Sequence, residues 1–382
     1  MNIGIDVRSL LEKERSGVGE YTYQLLGAIF SLDKENQYHL FYNSWKAADD
    51  LLPKEWKNFP NVHFYGFHWP NKLLNFCFKF LRWPKIDSLI KSTDKMDLFF
   101  IPNLNFVALS RGVKKIITVH DLSFLRYPRF FSWKRRLWHW FVNPKKLIRG
   151  ADKIIAVSEN TKKDLMELYG VASEKIRVIY SGVGQDLRNE NRELRIEEIK
   201  KKYNLPEKFI LFLGTLEPRK NIEGLIRAFE IFKTAENTDY KLVIVGQRGW
   251  LYKKILAQAA ASPVCDDIKF INYISPEEKF IFYKLAKLFV YQSFYEGFGF
   301  PPLEAARAGT PVIVSSVSSL PEVMGEAALM VDPNNPAEMA KVMAECLTDE
   351  NLRNSLVEKG KKQAEKFSWT SSAKEFLSLI GQ

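Results

Sequence analysis

The chain has 382 residues, a length that holds two or three domains with sizeable cores and excludes a small disulfide scaffold. With 46% hydrophobic and 26% charged residues, it matches neither a disordered chain nor a polytopic membrane protein. The net charge of +11 is concentrated: residues 1–180 carry 29 Lys and Arg against 18 Asp and Glu, whereas 181–382 carry 27 of each.

Residues 3–7, inside Asn2-Ile3-Gly4-Ile5-Asp6-Val7-Arg8, alternate as a strand with an acid within it. That opening is unlike a basic segment followed by a long apolar one, so no secretory leader is expected. The richest apolar stretch, 73–81, is short and interrupted by Lys79, so no membrane span is expected either. Further short apolar runs at 98–102, 115–119 and 153–157 alternate with helical patterns, which predicts a parallel sheet covered by helices. A polar, charged interval over 185–202 marks a boundary near 182–200. The pattern then restarts with strands at 209–213, 241–245, 268–270, 288–291 and 311–314.

Two similar α/β domains are therefore expected, 1–184 and 185–366. Residues 367–382 form a terminal helix whose apolar spacing suits packing on either domain. Ligands of open α/β sheets bind beyond the carboxyl ends of the strands, so the main site is expected in a deep cleft that the two domains face. Cys77, Cys265 and Cys346 are odd in number, far apart and in no metal-ligand spacing, which points to a reducing compartment without structural disulfide or zinc. Residues 51–150 hold 19 basic against 5 acidic residues, interleaved with Trp69, Trp83, Trp133, Trp138 and Trp140. Such a stretch reads as an interfacial surface or as a nucleic-acid track, and any one aromatic also reads as core.

Four motifs sit on strand ends. Ser16-Gly17-Val18-Gly19-Glu20-Tyr21 follows the opening strand; its glycines either let amides approach a phosphate at a helix start or form an ordinary loop. No Gly-x-Gly-x-x-Gly occurs, which disfavours a dinucleotide oxidoreductase. His120-Asp121 closes the strand at 115–119: the imidazole suits donation to a hydroxyl, and Asp121 suits fixing its tautomer, binding a hydroxyl or merely capping. Glu217-Pro218-Arg219-Lys220-Asn221 puts a guanidinium and an ammonium at a helix start, an arrangement for a diphosphate or a solvated basic turn.

Glu296-Gly297-Phe298-Gly299-Phe300-Pro301-Pro302-Leu303-Glu304 is the sharpest of the four. Two glycines permit a tight bend, Pro302 suits a first helical turn, and Glu296 and Glu304 offer carboxylates to vicinal hydroxyls, with Glu304 placed in the first turn. A structural bend with two solvated acids is the plainer reading, and a glycosidase would need an acid and a base flanking a scissile bond.

Taken in order, these residues resemble glycosyltransferase family 4, the group of retaining, GT-B-fold enzymes, along nearly the whole chain. The likeness also takes in Ala151-Asp152, Val157-Ser158, Leu213-Gly214-Thr215, Val245-Gly246, Ala308-Gly309-Thr310-Pro311-Val312 and Pro321-Glu322. It implies two Rossmann-like domains, the first for the acceptor and the second for a nucleotide sugar, with the last helix packing back toward the first. It further implies that Gly17, Gly19 and Gly214 line the donor and that His120 stands beside the transferred sugar. Arg219 and Lys220 would neutralise the diphosphate without a divalent metal or other cofactor. Glu296 with the amides of Gly297, Phe298 and Gly299 would hold sugar hydroxyls, and Glu304 the ribose.

Mannosyltransferase-like members are the most similar, so GDP-mannose is the expected donor and a lipid-linked or polysaccharide acceptor the expected partner. UDP- or ADP-sugars, and a non-catalytic sugar-nucleotide-binding protein, are the alternatives. An anionic membrane surface is an expected partner for the basic aromatic stretch, in a cytoplasmic protein peripheral to the inner face, and nucleic acid is not expected. Two positions depart from the pattern: Ser181-Gly182-Val183-Gly184 stands where Asn-Gly-Val-Asp is common, and Gln292 where proline is common.

Overall fold

The computed structural model describes residues 1–12, 15–44, 51–90, 95–184 and 192–381, with side chains throughout except at 192–194. Seven strands, β1 (Asn2–Asp6), β2 (Gln37–Asn43), β3 (Val62–Phe67), β4 (Leu98–Ile101), β5 (Lys114–Val119), β6 (Lys153–Ala156) and β7 (Ile176–Val178), form one sheet. It is parallel throughout, in the order β3-β2-β1-β4-β5-β6-β7. Helices cover both faces of such a sheet, which is why β4 and the inner residues of β1, β5 and β6 are buried and read as near-continuous apolar runs.

A second parallel sheet contains β8 (Phe209–Leu213), β9 (Lys241–Val245), β10 (Ile268–Ile271), β11 (Leu288–Tyr291), β12 (Val312–Ser315) and β13 (Leu329–Val331). Its order, β10-β9-β8-β11-β12-β13, is the Rossmann 3-2-1-4-5-6 arrangement. The order reverses between β8 and β11, so the loops leaving these two strands part there and leave a crevice. Those loops carry Arg219-Lys220 and Glu296.

By contacts the chain divides into one unit of Met1–Leu125, Trp133–Gly182 and Ser368–Gln382, and a second of Arg126–Ser132 and Val183–Phe367. The expected boundary at 184/185 borders residues 185–191, which lie outside the described residues. Sequence order puts Arg126–Ser132 with the first domain, whereas contacts group it with the second unit. Phe130 stacks on Phe294 (5.2 Å between centroids), Phe131 stacks on Trp250 (5.6 Å), and Trp250 Nε1 donates to the Phe130 carbonyl at 2.5 Å. Aromatic stacking thus draws this segment into the second unit.

Helix Trp369–Ile380 packs in the first unit, with Phe376 against Phe100 (4.7 Å), Trp369 against Tyr21 (5.7 Å) and Ser372 Oγ donating to the Tyr180 carbonyl at 2.6 Å. Gly182 is required by this packing, since a Cβ there would lie 2.2 Å from the Trp369 nitrogen, whereas one at Gly184 meets nothing among the described residues within 4 Å. Gly182→Ala is expected to destabilise the protein by about 1–3 kcal/mol through overpacking. Gly184→Ala should stay within about 0.5 kcal/mol of wild type. Thermal unfolding of the pair checks this, and equal losses would contradict it. Among the described residues no helix is long and apolar enough to cross a membrane.

Candidate active site

After β8 the chain passes Gly214, whose N–H donates to the Val245 carbonyl at 2.9 Å and whose own oxygen would lie 1.9 Å from a Cβ at Gly246. It then makes one 3-10 turn, Pro218–Lys220, closed by Asn221 in the left-handed region (φ 54°) before helix Ile222–Glu236. The turn brings Arg219 and Lys220 side by side. Arg219 Nη1 donates to Glu296 Oε2 at 2.9 Å and to the Tyr295 carbonyl at 2.6 Å, while Nε and Nη2 donate to Glu217 Oε1 at 3.0 and 2.7 Å. Lys220 Nζ donates to Glu296 Oε1 at 2.6 Å and to the Tyr291 hydroxyl at 2.5 Å.

Lys220, Glu217 and Glu296 are all buried. The four charges balance, which a buried site requires. Burial alone would raise the Glu296 carboxyl, but Arg219 and Lys220 outweigh it and hold the pKa down at about 2. Burial, followed by the charge of Arg219, lowers the Lys220 ammonium from its ordinary value. Burial, then the Glu296 charge, pushes the Tyr291 phenol up, so it stays a neutral hydrogen-bonding partner.

Backbone ties fix both loops. The Phe294 N–H donates to the Arg219 carbonyl at 2.9 Å, and Ser319 Oγ donates to the carbonyls of Glu296 and Phe298, both at 3.0 Å. Gly299 turns the chain with φ 101°, where a Cβ would sit 2.6 Å from Leu320 Cδ2. Gln292, one of the two departures from the family pattern, is fully buried; its Nε2 donates to the Asn221 carbonyl at 2.8 Å while Asn221 Nδ2 donates to the Pro333 carbonyl at 2.6 Å. The amide therefore supports the residue that ends the Arg219-Lys220 turn, a task proline could not perform.

The helix after this loop starts earlier than the spacing suggests, at Phe300, and runs Phe300–Arg307. Pro301 and Pro302 both fall in its first turn, where the missing proline N–H groups cost no helical hydrogen bond. Glu304 consequently lies in the second turn rather than the first. It is held by helix Pro276–Leu285, accepting from Lys279 Nζ at 3.0–3.1 Å and from the Tyr283 hydroxyl at 2.8 Å.

In the first unit, Gly17 and Gly19 form the opening turn of helix Gly17–Leu32 rather than a loop ahead of it. The Gly19 N–H donates to the capping Ser16 hydroxyl at 3.4 Å, and a Cβ at Gly17 would meet none of the described residues within 4 Å. His120 follows β5, with Nε2 2.8 Å from the Pro102 carbonyl and its ring edge-on to Tyr21 at 4.6 Å. A carbonyl only accepts, so Nε2 carries the proton and Nδ1 is an acceptor. Burial lowers the His120 pKa and favours this neutral form. Asp121 does not fix that tautomer: its carboxylate accepts from the Ser123 N–H (2.9 Å) and hydroxyl (2.6 Å), capping helix Ser123–Arg126.

Sequence reasoning missed Glu217 and Tyr291 as partners of the cations, and also Arg8. Arg8 holds Asp6 through two bonds (2.8 and 2.6 Å) at the carboxyl end of β1 and reaches the Phe106 carbonyl at 2.7 Å. A carboxylate two residues before each arginine, Asp6 before Arg8 and Glu217 before Arg219, was the available signal.

The family model described as Glycosyltransferase Family 4 matches residues 15–187, and that described as Glycosyl transferases group 1 matches residues 195–363. Over 266 residues the chain is 31% identical to the O-antigen chain mannosyltransferase B of Escherichia coli, covering 69% of each. It is 32% identical over 263 residues to the serotype-specific mannosyltransferase WbdA of Escherichia coli, in a match covering 68% of this chain but 32% of WbdA, so it spans about a third of that relative. Sucrose-phosphate synthase from Thermosynechococcus elongatus shares the fold with a TM-score of 0.76 over 100% of this chain and 98% of that one, at 20% identity. Two Rossmann-like parallel-sheet units of this kind define a GT-B protein. The chain belongs to glycosyltransferase family 4.

Proposed function

We propose that this chain is a retaining mannosyltransferase that moves mannose from GDP-mannose to a hydroxyl of a lipid-linked or polysaccharide acceptor, in O-antigen-type glycan synthesis. The observation that carries the reading is the pairing of Arg219 and Lys220 with the buried Glu296 on the two loops that part at the β8/β11 switch point. The names of the relatives, O-antigen chain mannosyltransferase B and WbdA, support mannose.

In this reaction the bond between the anomeric carbon and the phosphate oxygen breaks while the ring takes oxocarbenium-like charge. The acceptor oxygen bonds to the face the leaving group vacates, and its proton passes to the departing phosphate, so no enzymic nucleophile is needed. Negative charge grows on the leaving diphosphate, where fixed cations in a shielded site stabilise it most. Arg219 and Lys220 supply that charge, and the lone pairs of Glu296 not taken by them accept sugar hydroxyls. Transfer is therefore expected to persist in EDTA; abolition restored by a divalent cation would contradict this.

A thermal-shift series with GDP, UDP, ADP and their sugars, run beside a nucleotide-release assay, tests the reading. A shift with GDP together with consumption of GDP-mannose supports it, because a ligand of the native state stabilises by mass action. A shift with UDP or ADP alone replaces the donor, binding without consumption replaces the enzyme by a binding protein, and no shift with any of them overturns the site.

A further inference from the structure

Helix Trp133–Val142 wears its apolar stripe outward. Trp133, Leu137 and Trp140 recur at helical spacing and are 69%, 53% and 76% exposed. On the opposite side Val142 is buried and His139 stacks flat on Phe124, ring centroids 4.1 Å apart. A helix resting on a core in water does the reverse.

A second segment of the same unit behaves alike. Helix Asn71–Phe76, prolonged by one wide turn over Cys77–Leu81, buries Leu74, Cys77 and Phe78 but exposes Phe76, Phe80 and Leu81. The two segments adjoin, with the Phe80 ring edge-on to Phe141 at 5.6 Å and Lys79 Nζ 5.7 Å from the Phe141 centroid. The two neighbouring segments both expose large apolar side chains, of a kind that marks an interaction site.

Charge identifies the partner. No Asp or Glu occurs from residue 56 to 86 or from 122 to 151, while Lys72, Lys79 and Arg82 lie on or beside one segment and Lys134, Arg135 and Arg136 on the other. We propose that this face docks on an anionic phospholipid bilayer, the Trp, Phe and Leu side chains entering the headgroup region and the Lys and Arg side chains meeting lipid phosphates. Tryptophan favours that boundary and cations favour anionic lipid, whereas a folded protein partner would present a mixed surface. The inference goes beyond the proposed reaction and does not require sugar transfer.

Co-sedimentation of the full chain with vesicles of phosphatidylglycerol and phosphatidylethanolamine, against vesicles of phosphatidylcholine, tests it. Binding to the anionic vesicles at low salt is expected, falling as salt rises. Joint Trp133→Ser and Trp140→Ser substitution should weaken binding at least tenfold. Joint Lys134→Gln, Arg135→Gln and Arg136→Gln should weaken it about fivefold per cation removed and flatten the salt dependence. Thermal stability and any nucleoside-diphosphate shift should stay at wild type in both, which separates failure here from failure of the proposed reaction. Absence of binding, equal binding to both vesicle types, or variants that bind like wild type would overturn the proposal. So would vesicle-independent self-association that the Trp substitutions abolish, which would make the face an interface between copies.

Discussion

Arg219→Ala and Lys220→Ala should each lower turnover by on the order of a hundredfold to a thousandfold, about 2.7 to 4 kcal/mol of lost transition-state stabilisation. The two cations sit on one short turn, oriented by Glu217, Glu296, Tyr291 and two loop ties, so they need little reorganisation when charge develops. Losses should not add in the double variant, because both groups meet the same diphosphate and the same Glu296 carboxylate. Since Lys220 is buried, kcat is to be compared at a temperature where circular dichroism shows each variant folded. Near-wild-type turnover in either single variant would remove the cations from the reaction.

Glu296→Ala should destabilise the protein by about 3–5 kcal/mol, since it leaves the buried Lys220 and the part-buried Arg219 without their shared carboxylate. For a unit of this size that corresponds to a fall in Tm of about 6–20 °C. The acid limb carries a second signature. A carboxylate whose folded pKa is depressed, here from 4.5 to about 2, contributes stability that is fully present above its unfolded value and is lost as pH falls toward the folded one. Glu296→Gln should therefore lose stability less steeply than wild type between pH about 4.5 and about 2. A Glu296→Ala variant with unchanged Tm, or a Glu296→Gln variant with an unchanged acid limb, would show that the pairing contributes little.

The buried strands of both sheets were legible because parallel strands covered on both faces read as apolar runs, as Phe209-Ile210-Leu211-Phe212-Leu213 does. β2 and β3 were not. They contain His39, Asn43, His63 and Gly66, and His39 is tolerated in its buried position because Tyr65 and Asn2 bond its ring nitrogens at 3.2 and 3.1 Å. β7 and β13, each three residues long, are too short for a period to show and were not expected either. At the site, the residue types of the Arg219-Lys220 and Glu296 motifs were readable, but their meeting was not. It spans 76 and 77 positions and arises from the lateral pairing of β8 with β11, which no local pattern encodes. Glu304, eight residues from Glu296 in sequence, is held by Lys279 and Tyr283 of a neighbouring helix, partners that no local pattern encodes either.

Calorimetric titration of GDP into wild-type, Arg219→Gln and Lys220→Met protein tests most directly whether this cluster is the seat of a nucleoside diphosphate. The expectation is measurable affinity in wild type and a loss of at least about tenfold in each folded variant, as befits a charge-assisted contact. Equal affinity in all three proteins would contradict it.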